Sequence, residues 1–192
     1  MRNTSLQVAT TGKRACLGNV ERVLICFRNI CLWSINKKKP IHTIPLSHGL
    51  APPPPPEKSS AETKPAQEPP CPPQPRWVTA LATIPYSNLI FSGSWDGVIR
   101  VWKVSKDTKK IEPMGVIGNE ESIRGIVNGI AVFERGEKAD AEIVVCVGTG
   151  KELRLGRWLE IPGRNGGYVM EIKKKAGGLS QATEEAEEQG DA

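Results

Sequence analysis

Side chains suited to catalysis or metal binding are scarce in this chain. Its 192 residues include two histidines, His42 and His48, and five cysteines that form no Cys-x-x-Cys pair. The cysteines are Cys16, Cys26, Cys31, Cys71 and Cys146. These residues give no credible zinc ligand set, and an odd number of unpaired cysteines favours a reducing compartment. No nucleophile–histidine–acid arrangement, carboxylate pair or glycine-rich phosphate cradle can be assembled either. The sequence therefore predicts a protein that is not an enzyme, with no metal, no cofactor and no small-molecule substrate.

Basic side chains are candidates for binding an anionic partner, because Lys and Arg donate hydrogen bonds to phosphate oxygens. The net charge is +5 with a pI near 9.0, and residues 151–175 carry seven Lys or Arg against three Glu. The residues after 175 carry five acids and no base. The candidate contacts are Lys151, Arg154, Arg157, Arg164 and Lys173–Lys175, with a second basic turn at Lys37, Lys38 and Lys39. The alternatives are a solvated surface for these residues and a packing role for Arg157.

The elements that must position these residues read as β-strands. In "SGSWDGVIRVWKV", Ser92–Val104, an Asp-Gly turn joins two apolar runs, and the second run alternates in and out. The same order of strand, Trp, polar turn and strand occurs in "CLWSINKKKPIHTI" and "LRLGRWLEIPGRNGGYVMEI". Helical periodicity is absent from these runs, so the sequence predicts an all-β protein.

The repeat has the length expected of a propeller blade. Trp33 and Trp102 are 69 residues apart, and removing the proline-rich residues 51–76 leaves a period of about 43. A period of about 40–45 residues with four strands each is typical of β-propellers. Eleven of the 16 prolines lie between Pro52 and Pro75, and such a segment forms no ladder. We therefore expect it to be a disordered insertion.

The chain divides into six predicted segments. Residues 1–29 are expected to be irregular apart from one short strand in "VERVLICF", and 30–50 to form the end of one blade. Residues 51–76 are the insertion, 77–117 a complete blade, 118–172 a terminal blade and 173–192 a disordered basic-to-acidic tail. No run approaches the ~20 apolar residues of a membrane span, so no membrane partner is predicted.

The run Ser92–Val104 resembles the WD-repeat β-propellers, whose blades share this turn and the Trp that follows it. The resemblance implies a buried hydrogen-bonded chain of His48, Ser92, Asp96 and Trp102. Carboxylate, imidazole, hydroxyl and indole groups suit such a chain, because each buried donor needs an acceptor. It also implies a closed propeller of about seven blades in the parent family, of which this chain would supply two to three.

A narrower resemblance rests on "LWSINKKKPIHTIPLSHGL", "WVTALATI" and "VVCVGTGKELRLGRWLEI", which includes the run Glu152–Trp158. These stretches are similar to the WD-repeat proteins specific to the U3 small nucleolar ribonucleoprotein (snoRNP). The resemblance implies binding of U3 RNA, snoRNP and processome partners, and a role in processing pre-ribosomal RNA to 18S RNA. It also implies location in the nucleus and nucleolus. The alternatives are a WD-repeat scaffold for protein partners and a fragment without independent activity.

Overall fold

The computed structural model describes residues 14–16, 21–26, 28–34, 36–53, 72–118, 122–136, 142–154, 161–175 and 178–181. Within these ranges the chain forms twelve strands and no helix, which confirms the all-β prediction. The strands make three four-stranded antiparallel sheets. Each sheet takes its four strands from one continuous part of the chain, so every sheet is one blade. None of the described residues forms a helix that is long and apolar enough to cross a membrane.

The first blade contains two strands where the sequence predicts mostly irregular structure. Its order is β1-β2-β3-β4, with β1 at Arg14–Cys16, β2 at Glu21–Cys26, β3 at Asn29–Ser34 and β4 at His42–Ile44. The prediction of one short strand within residues 1–29 is wrong, because β1 and β2 together complete this blade. The run "VERVLICF" supplies β2, whereas β1 has too few residues for a visible alternation.

The second blade comes from the stretch predicted to be a complete blade, residues 77–117. Its strands are β5 at Ala80–Thr83, β6 at Leu89–Gly93, β7 at Ile99–Val104 and β8 at Ile111–Ile117. Strand β7 does not alternate between buried and exposed residues as the sequence predicts, because Val101 and Trp102 are adjacent and both buried. Both faces of the strand are covered: Ile99 and Val101 belong to one apolar core and Trp102 and Val104 to another, and Lys103 is the one exposed residue of the strand. The register with β8 shifts between Val101 and Trp102, which is a β-bulge.

The third blade extends further toward the C-terminus than the sequence predicts. Its strands are β9 at Ile126–Arg135, β10 at Glu142–Gly150, β11 at Gly166–Lys175 and β12 at Gly178–Gln181. Part of the predicted tail, residues 173–192, is therefore ordered, because β11 runs to Lys175 and β12 pairs with it. Strand β10 pairs with β11 as far as Lys173, and β12 pairs with the lysine-rich end of β11, residues 172–175.

Two apolar cores hold the blades face to face. Between the first and second blades, Ile30 and Leu32 pack with Ile90, Trp102 and Val104. The larger core lies between the second and third blades and contains Phe91, Ile99, Val101, Val127, Ile143, Val145, Val147, Met170 and Ile172. A direct backbone hydrogen bond, from the Val127 amide to the Ser94 carbonyl at 2.9 Å, also joins these blades.

The antiparallel strands give each blade two distinct ends. One end carries the connections between first and second strands and between third and fourth strands, and we call it the turn end. The other carries the connections between second and third strands and the links between blades, and we call it the loop end. The proline-rich segment leaves the loop end. The residues that flank it are held together by bonds from Ala51 N to Gln74 O, 2.7 Å, and from Arg76 N to Gly49 O, 3.0 Å. The middle of that segment, 54–71, lies outside the described residues.

Candidate functional site

The structure brings His48, Ser92, Asp96 and Trp102 into one buried chain of hydrogen bonds. His48 Nδ1 lies 2.8 Å from Asp96 Oδ2, and His48 Nε2 lies 2.9 Å from Ser92 Oγ. The Trp102 indole donates to the same Ser92 oxygen at 2.8 Å. His48 and Ser92 are fully buried. The chain therefore joins the link that precedes β5 to β6, to the β6–β7 turn and to β7.

The direction of these bonds follows from their donors and acceptors. The indole N–H only donates, and an ionised Asp96 only accepts. His48 therefore donates from Nδ1 to Asp96 and accepts at Nε2 from the Ser92 hydroxyl. The same hydroxyl oxygen accepts from the Trp102 indole, and these donors and acceptors together define the tautomer of His48. Burial opposes ionisation of Asp96, but the hydrogen bond from His48, together with the hydrogen bonds and charge of Arg100, outweighs it and lowers the pKa of the carboxyl. Asp96 is thus a carboxylate at neutral pH.

The first blade lacks an equivalent chain. In the second blade Ser92 pairs with Arg100, two residues before Trp102, and the corresponding pair in the first blade is Leu24 with Cys31, two residues before Trp33. A leucine supplies no hydroxyl, and the buried Trp33 Nε1 has no hydrogen-bond partner among the described residues. Of these two blades, only the second has the chain, which ties the link before β5 to β6 and β7 at the loop end.

A tight contact between two glycines shapes the loop end of the third blade. Gly125 has φ +129°, and a Cβ built on Gly163 would lie 2.8 Å from the Gly125 Cα. This approach puts the Arg164 amide within 3.3 Å of the Arg124 carbonyl, while the Arg124 amide donates to the Tyr168 hydroxyl at 3.2 Å. Two arginines that are 40 positions apart in the chain are thus neighbours.

Lys151 and Arg154 join these arginines through bonds to asparagine side chains. Asn128 accepts from the Arg154 amide at 2.9 Å and donates to the Glu152 carbonyl at 2.9 Å. The Lys151 amide donates to Asn165 Oδ1 at 3.0 Å. We call Arg124, Lys151, Arg154 and Arg164 the arginine cluster. All four are exposed, and none of their side chains forms an ion pair with another described residue.

The other candidate contacts lie elsewhere. Lys37, Lys38 and Lys39 occupy the β3–β4 turn at the turn end, opposite to the arginine cluster. Lys173 lies on β11 near the turn end, with its ammonium group 3.9 Å from Glu142. Arg157, together with most of the run Glu152–Trp158, lies outside the described residues. The two basic surfaces predicted from the sequence are therefore separated by the length of the strands.

Arg124 is absent from the candidates that the sequence predicts, and only a weak signal marks it there. It stands alone in "ESIRGIV", and nothing local links it to "PGRNGG". The Gly that follows it is the available hint, because Gly125 has a backbone angle that other residues rarely adopt. Among the described residues, no three His, Cys, Asp or Glu side chains gather closely enough to hold a metal ion.

Several known proteins are similar to this chain in sequence. No protein-family model matches the chain. It is 45% identical over 144 residues to an uncharacterized WD repeat-containing protein of Schizosaccharomyces pombe, covering 74% of this chain and 27% of that protein. It is 40% identical over 151 residues to Ribosomal RNA-processing protein 9 of Saccharomyces cerevisiae, covering 75% and 26% respectively. It is 24% identical over 147 residues to the U3 small nucleolar RNA-interacting protein 2 of Mus musculus, covering 76% and 26%.

Two solved structures share the fold. A crystal structure of RRP9 WD40 repeats aligns with a TM-score of 0.60 and 21% identity over 84% of this chain and 41% of that one. The structure of U3-55K aligns with a TM-score of 0.57 and 22% identity over 79% and 39%. The three sheets are therefore blades of a WD40-type β-propeller, which confirms the predicted fold class.

Within that class, the narrower resemblance is also confirmed. The chain is homologous to Ribosomal RNA-processing protein 9 and to proteins named U3 snoRNP-associated protein-like and U3 small nucleolar RNA-interacting protein 2. It spans about a quarter of the length of the curated relatives it matches.

Proposed function

We propose that this chain is a non-catalytic part of the U3 snoRNP that contacts U3 RNA and supports the processing of pre-ribosomal RNA to 18S RNA. In this proposal its partners are U3 RNA and the proteins of the snoRNP and processome, and its location is the nucleolus, within the nucleus. The relatives' names support the assembly and the RNA. The arginine cluster is the observation that supports a direct RNA contact.

The arginine cluster suits phosphate for three reasons. Its side chains are exposed and, among the described residues, unpaired, so binding requires no loss of an existing ion pair. Arg154 and Arg164 are anchored by their backbone amides, which leaves their guanidinium groups free to donate two parallel bonds to one phosphate. The glycine contact between Gly125 and Gly163 fixes the spacing of the two loops, which reduces the entropy lost on binding.

The test compares two double variants of the full chain. Arg154→Gln with Arg164→Gln removes two unpaired charges, whereas the control Arg135→Gln with Lys173→Gln removes two charges of the same blade that already pair with Glu142 and Glu171. Binding to U3 RNA and to an unrelated RNA of equal length is measured by filter retention. We expect the first variant to lose about tenfold affinity for U3 RNA and the control to lose little, since each phosphate contact adds to the binding.

Three outcomes would contradict the proposal. Equal losses in the two variants would indicate diffuse electrostatics, and equal binding of the wild-type chain to both RNAs would remove the case for U3 as the specific partner. Unchanged RNA binding in both variants, with retained capture of snoRNP proteins, would favour the alternative of a WD-repeat scaffold for proteins.

A further inference from the structure

A second basic surface lies at the turn end of the first two blades. The β3–β4 turn contributes Lys37, Lys38 and Lys39, and the β7–β8 turn contributes Lys106, Lys109 and Lys110. All six side chains are exposed. We call these six residues the lysine edge. The sequence predicts only the first three as candidates, because it does not show that the second turn, in a different repeat, lies beside the first.

A contact between the blades places these two turns side by side. The Ile111 amide donates to His42 Nδ1 at 3.3 Å. His42 opens β4 shortly after the first turn, and Ile111 opens β8 directly after the second. Strands β4 and β8 are also in contact. The two turns that carry the six lysines are therefore neighbours at the turn end.

The charges of the lysine edge are not neutralised within the described part of the chain. None of its six ammonium groups forms an ion pair there, whereas at the same end of the third blade Arg135 pairs with Glu142 at 3.0 Å and Glu171 at 2.7 Å. The acid inside the second turn, Asp107, accepts from the Ser105 hydroxyl and the Lys109 amide. The edge thus keeps a net charge of +5, from six lysines and one aspartate. An anionic partner is what this surface fits.

An exposed aromatic ring stands at the same end of the second blade. Tyr86, in the β5–β6 turn, is 96% exposed and has φ 62°, a conformation that bulky residues rarely adopt. The following residues hold the turn in place, since Ser87 donates to the Ile84 carbonyl at 3.0 Å and Asn88 to the Val104 carbonyl at 3.1 Å. An exposed ring on an anchored turn is suited to stacking with a flat ligand.

We propose that the lysine edge and Tyr86 form a second RNA contact, which holds the backbone of a single-stranded segment without reading its sequence. Lysines act as point charges toward phosphates, and an aromatic ring stacks on an unpaired base of any type. An acidic protein segment would use the lysines but would leave Tyr86 without a role. The inference deepens the proposed function and depends on it for the identity of the RNA. The edge lies about 20 Å from the loop end, the length of the six-residue β7, so it is separate from the arginine cluster.

The test uses the full chain and a single-stranded RNA of unrelated sequence. One variant carries Lys37→Gln, Lys38→Gln and Lys39→Gln, a second carries Lys106→Gln, Lys109→Gln and Lys110→Gln, and a third carries Tyr86→Ala. The triple control Lys103→Gln, Arg135→Gln and Lys173→Gln removes three charges that lie opposite an acid or pair with one. Binding is measured over a series of salt concentrations.

We expect each edge triple to weaken binding about tenfold at low salt. Each should also lower the slope of log K against log salt by about 0.7 for every phosphate that the protein no longer neutralises. Tyr86→Ala should weaken binding without changing that slope, and the control should change neither quantity. The reduction in affinity should be equal for U3 RNA and for unrelated RNA. A reduction confined to U3 RNA would overturn sequence-independent binding.

The remaining outcomes separate this inference from the proposed function. If the edge triples bind RNA like the control while binding to poly-glutamate falls, the surface serves an acidic protein segment and the inference is wrong. If the edge triples bind unrelated RNA more weakly but wild type shows no preference for U3, the inference stands and the proposed function fails. An unchanged slope in both triples would overturn the inference even if the arginine variants behave as proposed.

Discussion

Replacing Asp96 by alanine removes the acceptor at one end of the buried hydrogen-bonded chain. His48 is fully buried, and its Nδ1 has Asp96 Oδ2 as its partner at 2.8 Å. Arg100 also donates to that oxygen, at 3.2 and 3.3 Å, but a third of the Arg100 side chain is exposed. After the substitution Arg100 can reach water, whereas the imidazole N–H cannot.

The expected loss follows from this difference between the two partners. A buried donor without an acceptor costs about 1–3 kcal/mol of folding free energy. The partly exposed ion pair with Arg100 adds at most a fraction of that, since surface pairs contribute about 0–1 kcal/mol. Asp96→Ala should therefore lower the free energy of unfolding by about 1–3 kcal/mol.

Urea unfolding of the full chain, followed by circular dichroism, measures this loss. Asp107→Ala is the comparison variant, because Asp107 lies in a turn of the same blade but is exposed, and it should lower the free energy of unfolding much less than Asp96→Ala does. The denaturant dependence of the free energy should stay constant in both variants. An Asp96→Ala protein with the unfolding midpoint of the wild type would refute the role assigned to the chain.

Three further predictions concern stability. Ser92→Ala should cost about 1–3 kcal/mol in the same urea assay, because it leaves the buried Trp102 N–H without its acceptor; an unchanged midpoint would contradict it. Because the pKa of Asp96 is lowered in the folded state, its carboxylate should contribute its full stability at neutral pH and lose it as the pH falls below about 4. The difference in free energy of unfolding between wild type and Asp96→Asn should therefore shrink below that pH. A constant difference down to about pH 2 would contradict this. Gly93→Ala should cost about 1–3 kcal/mol, because the added Cβ would lie 2.5 Å from Val127 Cγ1, whereas Gly129→Ala, with nothing within 4 Å, should not; equal melting temperatures would show that the blades can separate to accommodate it.

Local patterns were sufficient to predict the second blade. The Asp96-Gly97 turn, the apolar run of β7 and the Trp near its end all lie within 13 residues, so they appear in the sequence without knowledge of the rest of the fold. The placement of His48 in the same chain came from the family resemblance, because the proline-rich segment separates it from β5.

Features that depend on contacts between blades were not predictable in the same way. The first blade has Leu24 where the second has Ser92, so the pattern that marks the second blade is absent from β1 and β2. Arg124 and Arg164 lie next to each other because two glycines are in contact. The two turns of the lysine edge are neighbours because a hydrogen bond joins β8 to β4. Such pairings join residues that are far apart in the chain, and no sequence period reports them.

The most direct test of the account is to identify the RNA bound to this protein in cells. A tag at the C-terminus of the native protein, followed by crosslinking, precipitation and sequencing of the RNA, gives the answer in one experiment. We predict strong enrichment of U3 RNA over other small nucleolar RNAs, reduced by Arg154→Gln with Arg164→Gln and retained in Arg135→Gln with Lys173→Gln. Recovery of the tagged protein without enrichment of U3 RNA would contradict the proposed function.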